Sequence, residues 1–223
     1  MTIKALVFDF DGLIIDTESV EFQVWQEIYR HYGCELELKT WAVCIGTSAD
    51  AFDPHIHLAQ LSGQQLDREE LYKRRRTRHA ELVAGLPVLP GVKAYLKGAK
   101  HLGLGVALAS SSTHEWVEGY LEERGLLPYF DHIKCSDDVE RVKPAPDLYV
   151  AALSALGVPG SAAVAFEDSL HGLQAAKDAG MYCVAVPNPL TRHMLWEQAD
   201  LVLNSMAELP LPQLLAKLEA KAS

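Results

Sequence analysis

A helical pattern that ends in glycine and is followed by a short apolar run recurs four times in the C-terminal two thirds of this chain. Glycine is common directly after a helix because it adopts the left-handed backbone conformation without strain. The glycines are Gly103, Gly125, Gly157 and Gly180, and the predicted strands are 105–109, 132–135, 162–166 and 182–186. Strands that alternate with helices in this way predict a parallel sheet. We therefore expect an α/β fold whose core is a Rossmann-like parallel sheet.

The N-terminal segment adds a first strand that ends in two acidic residues. The apolar run 5–8 is too short for a helix and lacks polar alternation, so we expect it to be buried on both faces. Asp9 and Asp11 follow two residues apart, and an extended backbone would point both carboxylates the same way. In open α/β sheets, ligands bind beyond the carboxyl ends of the strands. These two acids are therefore candidate site residues.

Two other interpretations of this acidic turn are weaker. Aspartate and glycine are ordinary turn residues, so a surface turn after a strand is the simplest alternative. A calcium-binding EF-hand loop requires glycine at its sixth position and glutamate at its twelfth. Counted from Asp9, those positions hold Ile14 and Val20, which excludes such a loop.

A long segment between the first two predicted strands has helical patterning and no convincing strand. Apolar residues in 20–32 fall at helical spacing and would form one stripe. The stretch 85–91 is rich in glycine and proline, which is typical of a connection. We expect residues 17–87 to form a helical cap domain that is inserted into a core domain made of residues 1–16 and 88–223.

The segment after the second predicted strand, from Ser110 to Thr113, is a run of hydroxyl residues before a predicted helix. Hydroxyls and backbone amides at a helix N-terminus form an anion site. Ser112 with Glu115 also fits a capping box, so a structural role is an equal alternative for Ser112. Ser110 has no obvious capping role, and we expect it to bind a phosphate group, with Ser111 beside it.

Two further segments place charged residues where the predicted sheet would end. Lys143 lies in a loop that two prolines make rigid, and Glu167 and Asp168 directly follow the strand predicted at 162–166. The structural alternatives are a solvated lysine and acids that only stabilise the start of the next helix. If the lysine is held near a carboxylate cluster, it can neutralise a phosphate and an aspartate together.

A charge count over these candidates predicts a metal ion. The acids Asp9, Asp11, Glu167 and Asp168 contribute −4 and Lys143 contributes +1, which leaves −3 before any phosphate binds. Like charges about 4 Å apart repel each other by about 4 kcal/mol at an effective dielectric constant near 20. All candidate ligand atoms are oxygens, and oxygen ligands favour a hard cation, so we expect Mg²⁺.

The composition argues against several classes of partner and site. The formal net charge of −10 argues against nucleic acid or an anionic membrane, because both favour a basic surface. No apolar segment is long enough to span a bilayer. The four cysteines lie far apart and form no C-x-x-C pair, so we expect reduced thiols and a cytoplasmic location. We also expect a monomer.

Four strand-end motifs of this chain resemble those of the haloacid dehalogenase superfamily, and they occur in the same order. The motifs are Asp9-Phe10-Asp11-Gly12, Ser110, Lys143-Pro144 and Glu167-Asp168. Four motifs in order are far more specific than the first motif alone, and they extend over nearly the whole chain. The inserted segment resembles the small helical cap of the subgroup that contains β-phosphoglucomutase, phosphoglycolate phosphatase and small sugar-phosphate phosphatases.

The resemblance implies a catalytic role for four residues. Asp9 would attack phosphorus and form an aspartyl-phosphate, which is an activated-carboxylate strategy. Asp11 would protonate the leaving alkoxide and then deprotonate the attacking water. Ser110 and Lys143 would hold the phosphate group.

The resemblance also implies the ligands of the magnesium ion. They would be the Asp9 carboxylate, the main-chain carbonyl of Asp11 and the Asp168 carboxylate, with Glu167 nearby. Phosphoryl transfer depends chiefly on alignment and on charge stabilisation, and this set of residues provides both.

The resemblance leaves several activities to compare. We expect a Mg²⁺-dependent phosphatase that hydrolyses a small phosphomonoester such as a sugar phosphate. A phosphosugar mutase is the alternative, but β-phosphoglucomutases have a histidine where this chain has Glu21 and tend to have a lysine where it has Thr113. Dehalogenation is disfavoured because dehalogenases lack the second acid, Asp11. A catalytically silent binding protein is disfavoured because no charged catalytic position is missing.

Two parts of the cap domain are candidates for substrate recognition. Gly46 and Thr47 resemble the loop that leans over the active site in relatives. The basic run within 73–78 is a second candidate, although a run of charge on a helix is usually a solvated face.

Overall fold

The computed structural model describes residues 2–42 and 52–221, and its core is a six-stranded sheet in which all neighbouring strands are parallel. The strands are β1 (Ala5–Phe8), β2 (Gly105–Ala109), β3 (His132–Lys134), β4 (Ala163–Glu167), β5 (Tyr182–Ala185) and β6 (Leu201–Val202). Their order across the sheet is β3-β2-β1-β4-β5-β6. The predicted α/β fold with a parallel sheet is confirmed.

Strand β1 lies inside the sheet, at the point where the strand order changes direction. It pairs with β2 on one side and with β4 on the other, so that Phe8 lies opposite both Leu108 and Phe166. Such a reversal is the place where open α/β sheets bind ligands. The residues that directly follow β1, β2 and β4 therefore share one rim of the sheet.

The two faces of the sheet carry side chains of different size, because large and small residues alternate along β1, β2 and β4. Leucine, valine and phenylalanine pack against α5 (Val92–His101), α6 (His114–Glu123) and α9 (Leu211–Lys221). The opposite face is mostly alanine and packs against α7 (Asp147–Leu156) and α8 (Leu170–Asp178). Small side chains permit close packing, so α7 and α8 lie directly against the rim residues.

In the described residues between β1 and α5, four helices form the predicted insertion. They are α1 (Thr17–His31), α2 (Leu38–Trp41), α3 (Pro54–Ser62) and α4 (Arg68–Ala84). Their apolar side chains, such as Trp25, Leu58 and Leu71, form a cluster distinct from those on the two faces of the sheet. The helical insertion is thus confirmed, while its limits at residues 17 and 87 remain a prediction.

The predictions about membrane-spanning segments and about the cysteines can be compared with the described part of the chain. No helix there combines the length and the apolarity that crossing a membrane requires. Cys34, Cys135 and Cys183 are free thiols, and Cys44 lies outside the described residues. Burial raises the pKa of the Cys135 thiol to about 12, so this cysteine stays protonated at neutral pH.

Candidate active site

Three strand ends bring the predicted polar residues to one rim of the sheet. Asp9 follows β1, Ser110 follows β2, and Glu167 is the last residue of β4, with Asp168 next. The strand pairing continues past the end of β1, because the N–H of Asp9 donates to the Phe166 carbonyl at 3.0 Å. The sheet itself therefore fixes the backbone from which these side chains project.

Asp9, Glu167 and Asp168 form a buried cluster of carboxylates. One oxygen from each side chain lies within 4.8 Å of the others, and all three residues are buried. The Lys143 ammonium lies 2.6 Å from Asp9 Oδ1 and 2.7 Å from Glu167 Oε1. Lys143 is only 2% exposed, so it is not the solvated lysine of the structural alternative. The fold thus brings together groups from three distant parts of the sequence.

This cluster holds more negative charge than Lys143 balances. Burial, followed by the charge of Glu167, raises the pKa of Asp9 to about 7. Burial and the charges of Asp9 and Glu167 raise the pKa of Asp168 well above its usual range. Although burial opposes it, the two neighbouring carboxylates raise the pKa of Lys143, which therefore stays cationic. Raised carboxyl pKa values beside a charged lysine indicate an excess of negative charge that a bound cation would relieve.

The donor atoms of the cluster fit Mg²⁺. They are carboxylate oxygens contributed by three buried side chains, and hard divalent cations prefer such ligands over nitrogen or sulfur. Asn188 Nδ2 donates a hydrogen bond to Asp168 Oδ2 at 2.6 Å. Hydrogen bonds of this kind orient the carboxylates that bind metals. The residues that could hold the ion are therefore already fixed in position.

Position 12 of the first motif requires glycine, because the Asp168 carboxylate lies close to it. Its φ of 79° lies in the left-handed region, which residues with a Cβ atom rarely adopt. A Cβ atom at this position would also lie 1.9 Å from Asp168 Oδ2. Glycine thus permits both the turn after β1 and the close approach of the Asp168 carboxylate.

The Asp11 carboxylate does not belong to this cluster, although it lines the same cavity as Asp9. Its Oδ1 accepts hydrogen bonds from Thr17 Oγ1 at 2.7 Å and from Trp116 Nε1 at 3.1 Å. Its Oδ2 accepts one from Ser112 Oγ at 2.6 Å. Three donors therefore fix this side chain, and a contribution of Asp11 to a metal ion would have to come from its main-chain carbonyl.

The hydroxyl residues after β2 have different partners. Ser110 is buried, and its Oγ accepts the N–H of Ser112 at 3.0 Å. Ser111 Oγ is buried without a hydrogen-bond partner in the described part of the chain, and Ser111 lines the cavity. The N-cap of α6 is Thr113, so the interpretation in which Ser112 caps that helix is wrong. Ser112 is instead a donor to Asp11.

A cavity of about 400 Å³ lies between this rim and the inserted helices. Its volume falls in the usual range for small-molecule sites. From the core it is lined by Asp9, Asp11, Lys143, Trp116 and the hydroxyl residues 110–113. From the insertion it is lined by Thr17, Glu18, Glu21, Arg75 and His79. The predicted catalytic residues and the inserted helices therefore face the same cavity.

Glu21 and Arg75 form an ion pair between α1 and α4 in the wall of the cavity. Arg75 Nε lies 2.8 Å from Glu21 Oε1 and 2.9 Å from Oε2, and Nη2 also donates to Oε2. Trp25 Nε1 donates to Oε1 at 2.9 Å, and His79 Nε2 lies 3.5 Å from Oε2. One member of the basic run thus faces the cavity rather than solvent.

Glu18 and His79 complete the inserted side of the cavity. Burial, followed by the negative charge of Asp11, raises the pKa of Glu18 to about 8. Burial lowers the pKa of His79. Both shifts favour the uncharged forms of these two side chains.

Sequence reasoning missed several residues of this site, and three of them contact the predicted acidic residues. Asn188 follows β5 between two prolines, and a polar residue at a strand end was a usable signal. Trp116 and Tyr149 lie on α6 and α7, where aromatic residues at helical spacing indicate only a core. The Tyr149 hydroxyl donates to Glu167 Oε1, and its ring centroid lies 5.1 Å from Lys143 Nζ. The predicted substrate contacts Gly46 and Thr47 lie outside the described residues.

This chain is similar to known proteins over nearly its whole length. A family model described as haloacid dehalogenase-like hydrolase matches residues 6–186. "Putative phosphatase YhcW" of Bacillus subtilis (strain 168) is 48% identical over 219 residues, which cover 98% of this chain and 99% of that protein. Fructose-1-phosphate phosphatase YqaB of Escherichia coli (strain K12) is 32% identical over 189 residues, covering 81% and 95%. A crystal structure of a CbbY variant from Rhodobacter sphaeroides in complex with xylulose-(1,5)bisphosphate has a TM-score of 0.73 and 30% identity, covering 93% and 96%.

Proposed function

This chain belongs to the haloacid dehalogenase-like hydrolase family and is one of its phosphatases, and we propose that it hydrolyses a small sugar phosphate or similar phosphomonoester through an aspartyl-phosphate, with Mg²⁺ as cofactor. The observation that carries the proposal is the buried cluster of Asp9, Glu167 and Asp168, with Lys143 bonded to Asp9. Such a cluster requires a cation, and it lies at the rim where this type of sheet binds ligands.

Asp9 is the proposed nucleophile. Its carboxylate belongs both to the acid cluster and to the cavity wall, so it alone of the cluster can reach a substrate phosphorus. The bonded Lys143 ammonium favours the ionised form that attack requires. Ser110 and Ser111, whose Oγ has no hydrogen-bond partner among the described residues, would hold the phosphoryl oxygens.

The metal ligands we propose are the carboxylates of Asp9 and Asp168 and the main-chain carbonyl of Asp11, with Glu167 close by. Mg²⁺ bound there would neutralise the acids and stabilise the charge on the transferring phosphoryl group. Asn188 would keep the Asp168 carboxylate oriented toward the ion.

Asp11 is the proposed general acid and base. It donates a proton to the leaving alkoxide and then accepts one from the water that attacks the aspartyl-phosphate. The bonds from Thr17, Ser112 and Trp116 hold its carboxylate at the cavity throughout both steps. A fixed acid needs no reorganisation at the moment of proton transfer.

Positions 21 and 113 support hydrolysis over a phosphosugar mutase. The Glu21 carboxylate is engaged by Arg75 and Trp25, so it is not free to exchange a proton with a sugar hydroxyl. Thr113 is used as the N-cap of α6. Neither position offers the histidine or the lysine that the resemblance associates with the mutases.

The substrate class and the organisation of the chain belong to the same proposal. YqaB is named for fructose 1-phosphate and the CbbY variant holds a xylulose bisphosphate, which supports a sugar phosphate here.

We propose that residues 17–87 act as the cap over a core of 1–16 and 88–223, with Gly46 and Thr47 contacting the substrate. A monomer in the cytoplasm remains our expectation, and sedimentation velocity tests the first part of it.

Phosphate release from p-nitrophenyl phosphate and a panel of sugar monophosphates tests this function. We expect hydrolysis with Mg²⁺, none with EDTA, and a loss of more than about 10³-fold in Asp9→Asn. The matched control is Asp178→Asn, which alters an exposed carboxylate on α8 and should keep the wild-type rate. Full activity in EDTA or in Asp9→Asn would contradict the mechanism, and interconversion of glucose 1- and 6-phosphates would favour the mutase.

A further inference from the structure

The ion pair between Glu21 and Arg75 lies in the wall of the cavity on the side of the inserted helices. We propose, on the basis of the function proposed above, that this enzyme selects phosphomonoesters whose other end is a neutral polyol or sugar. It discriminates against substrates that carry a second phosphate or a carboxylate. Glu21 determines this specificity because it neutralises Arg75.

The cavity offers few cations to a second anionic group. Among the described residues that line it, the permanently charged cations are Arg75 and Lys143. His79 also lines it, but burial lowers its pKa, so it is uncharged at neutral pH. The segment 43–51, outside the described residues, contains no lysine, arginine or histidine in its sequence.

Both of these cations already have anionic partners. Lys143 lies 2.6 Å from Asp9 and 2.7 Å from Glu167, at the end of the cavity where phosphoryl transfer takes place. Arg75 directs its Nε and Nη2 atoms at the Glu21 carboxylate. A second phosphate near α4 would therefore meet a neutralised guanidinium beside a carboxylate, and its desolvation would not be repaid.

The same wall suits hydroxyl groups. An arginine has five N–H donors, and the contacts with Glu21 leave the Arg75 Nη1 hydrogens for a substrate oxygen. The Glu18 carboxyl group and the His79 imidazole can each donate or accept a hydrogen bond when uncharged. The Trp116 ring provides an apolar surface for the carbon face of a sugar. These groups match a polyol better than an anion.

A second ion pair between the same two helices provides a matched control. Arg78 Nε donates to Glu27 Oε2 at 3.0 Å, so this pair also joins α4 to α1. Neither residue is among those that line the catalytic cavity. Neutralising Glu27 should therefore affect the packing of the helices in a similar way without changing the charge near the substrate.

The test compares kcat/KM for fructose 1- and 6-phosphates with that for fructose 1,6-bisphosphate, and for glucose 6-phosphate with that for 6-phosphogluconate. In the wild-type enzyme with Mg²⁺, we expect kcat/KM to be at least about tenfold lower for each substrate that carries a second anionic group. Glu21→Gln preserves the size of the side chain and releases the charge of Arg75. It should improve the bisphosphate relative to the monophosphates by about tenfold, the effect of one charge-assisted hydrogen bond.

Three further variants distinguish a change of charge from general damage. Glu27→Gln should leave the selectivity ratio unchanged, and adding Arg75→Gln to Glu21→Gln should remove the gain for the bisphosphate. Arg75→Gln alone leaves the Glu21 carboxylate without the charge of its arginine partner, so discrimination against the bisphosphate should increase. This variant tests the proposal even if Glu21→Gln fails to fold.

The outcomes that overturn this inference differ from those that overturn the proposed function. Equal kcat/KM for monophosphates and bisphosphate in the wild-type enzyme would contradict the selectivity. A Glu21→Gln variant that changes both classes of substrate equally would contradict the role of the ion pair. Absence of hydrolysis on the whole panel would instead reject the phosphatase function, and the inference with it.

Discussion

Among the residues of the proposed site, Lys143 balances part of the negative charge of the buried carboxylates. It is buried between Asp9 and Glu167, and the Tyr149 ring lies against its ammonium group. The lysine therefore offsets part of the repulsion between carboxylates that are held together by the fold. Removing one member of a buried ion pair leaves the remaining charge uncompensated, which usually destabilises a protein strongly.

We predict that Lys143→Ala lowers kcat/KM by about 10²-fold or more and the free energy of unfolding by about 3 kcal/mol. The control is Arg141→Ala in the same loop, which removes an ion pair with Asp147 in which the arginine side chain is 70% exposed. The control should change stability by less than about 1 kcal/mol and leave kcat/KM unchanged. Denaturant unfolding and steady-state kinetics measure both. Wild-type kcat/KM in Lys143→Ala would show that the lysine is only structural.

Trp116 links the proposed general acid to the inserted helices. Its indole N–H donates to Asp11 Oδ1 at 3.1 Å, and its ring packs against His79 of α4 with a centroid distance of 5.4 Å. The N–H orients the acid, while the ring is part of the contact between the two parts of the chain. These two roles can be separated because phenylalanine keeps most of the ring and lacks the donor.

Trp116→Phe is predicted to lower kcat by about tenfold, with little change in KM, since one donor to Asp11 is lost. A matched control is Trp196→Phe, because Trp196 Nε1 is buried without a hydrogen-bond partner in the described residues. That control should retain the wild-type kcat. A similar loss of kcat in both variants would show that the effect of Trp116→Phe does not come from its hydrogen bond to Asp11.

The sequence allowed the strand-end residues of this site to be predicted, and the physical reason is the sheet. In a parallel sheet the carboxyl ends of neighbouring strands share one rim, so Asp9, Ser110 and Asp168 could be grouped from position alone. Trp116 and Tyr149 could not, because which side of a helix faces a cavity depends on how the helix packs. The two alternatives for Ser112 could not be separated for the same reason, since its hydroxyl has a long-range partner in Asp11.

Helix α8 packs against the acid cluster, and the residues in its first turn suit this contact. A Cβ atom at Gly172, in the first turn of this helix, would lie 2.0 Å from the Glu167 carboxylate. Gly172 N–H donates to Ser169 Oγ, which caps the helix and also lies 3.3 Å from Glu167 Oε2. The start of α8 thus packs directly against a carboxylate of the proposed metal site.

We predict opposite effects for two glycine-to-alanine substitutions in helices. A Cβ atom at Gly119, in α6, would meet no described atom within 4 Å, so Gly119→Ala should stabilise the protein by about 0.5–1 kcal/mol. Gly172→Ala should destabilise it by more than about 1 kcal/mol and reduce activity, because Glu167 must move. Thermal unfolding with a phosphatase assay measures both. Stabilisation by Gly172→Ala without loss of activity would contradict the packing described here.

The elements of the core were easier to predict than those of the insertion. The core helices α5, α6, α7 and α8 alternate with strands, and each ends near one of the four glycines that predicted its end. In the insertion, the stretch between the first helix and residue 67 gave a helical pattern without clear ends. Helix α2 is only four residues long, too short for its period to be recognised from sequence.

For the whole molecule, the acid cluster predicts that metal binding and pH are coupled to stability. Folding raises the pKa of Asp9 from its ordinary value of 3.8 to about 7, so the folded state binds this proton more tightly. The stability of the metal-free protein should therefore fall as the pH rises through this interval. A bound cation would offset that loss, since it favours the ionised carboxylates.

We predict that a fixed Mg²⁺ concentration, about 100 times its Kd at pH 7.5, raises the Tm by about 5–10 °C near pH 7.5 and by clearly less near pH 5.5. The reason is that protons compete with the ion for Asp9 and Asp168 at the lower pH. Asp168→Asn should abolish most of the gain at both pH values. Equal gains at the two pH values, or an undiminished gain in Asp168→Asn, would show that the ion binds elsewhere.

The stereochemical course at phosphorus is the most direct test of an aspartyl-phosphate mechanism, because it does not require the intermediate to accumulate. The substrate would be a sugar ester whose thiophosphoryl group is made chiral with oxygen isotopes, hydrolysed in isotopically labelled water. Attack by Asp9 followed by attack of water comprises two in-line displacements, so we predict net retention of configuration. Net inversion would mean that water attacks the substrate directly, and it would contradict the role assigned to Asp9.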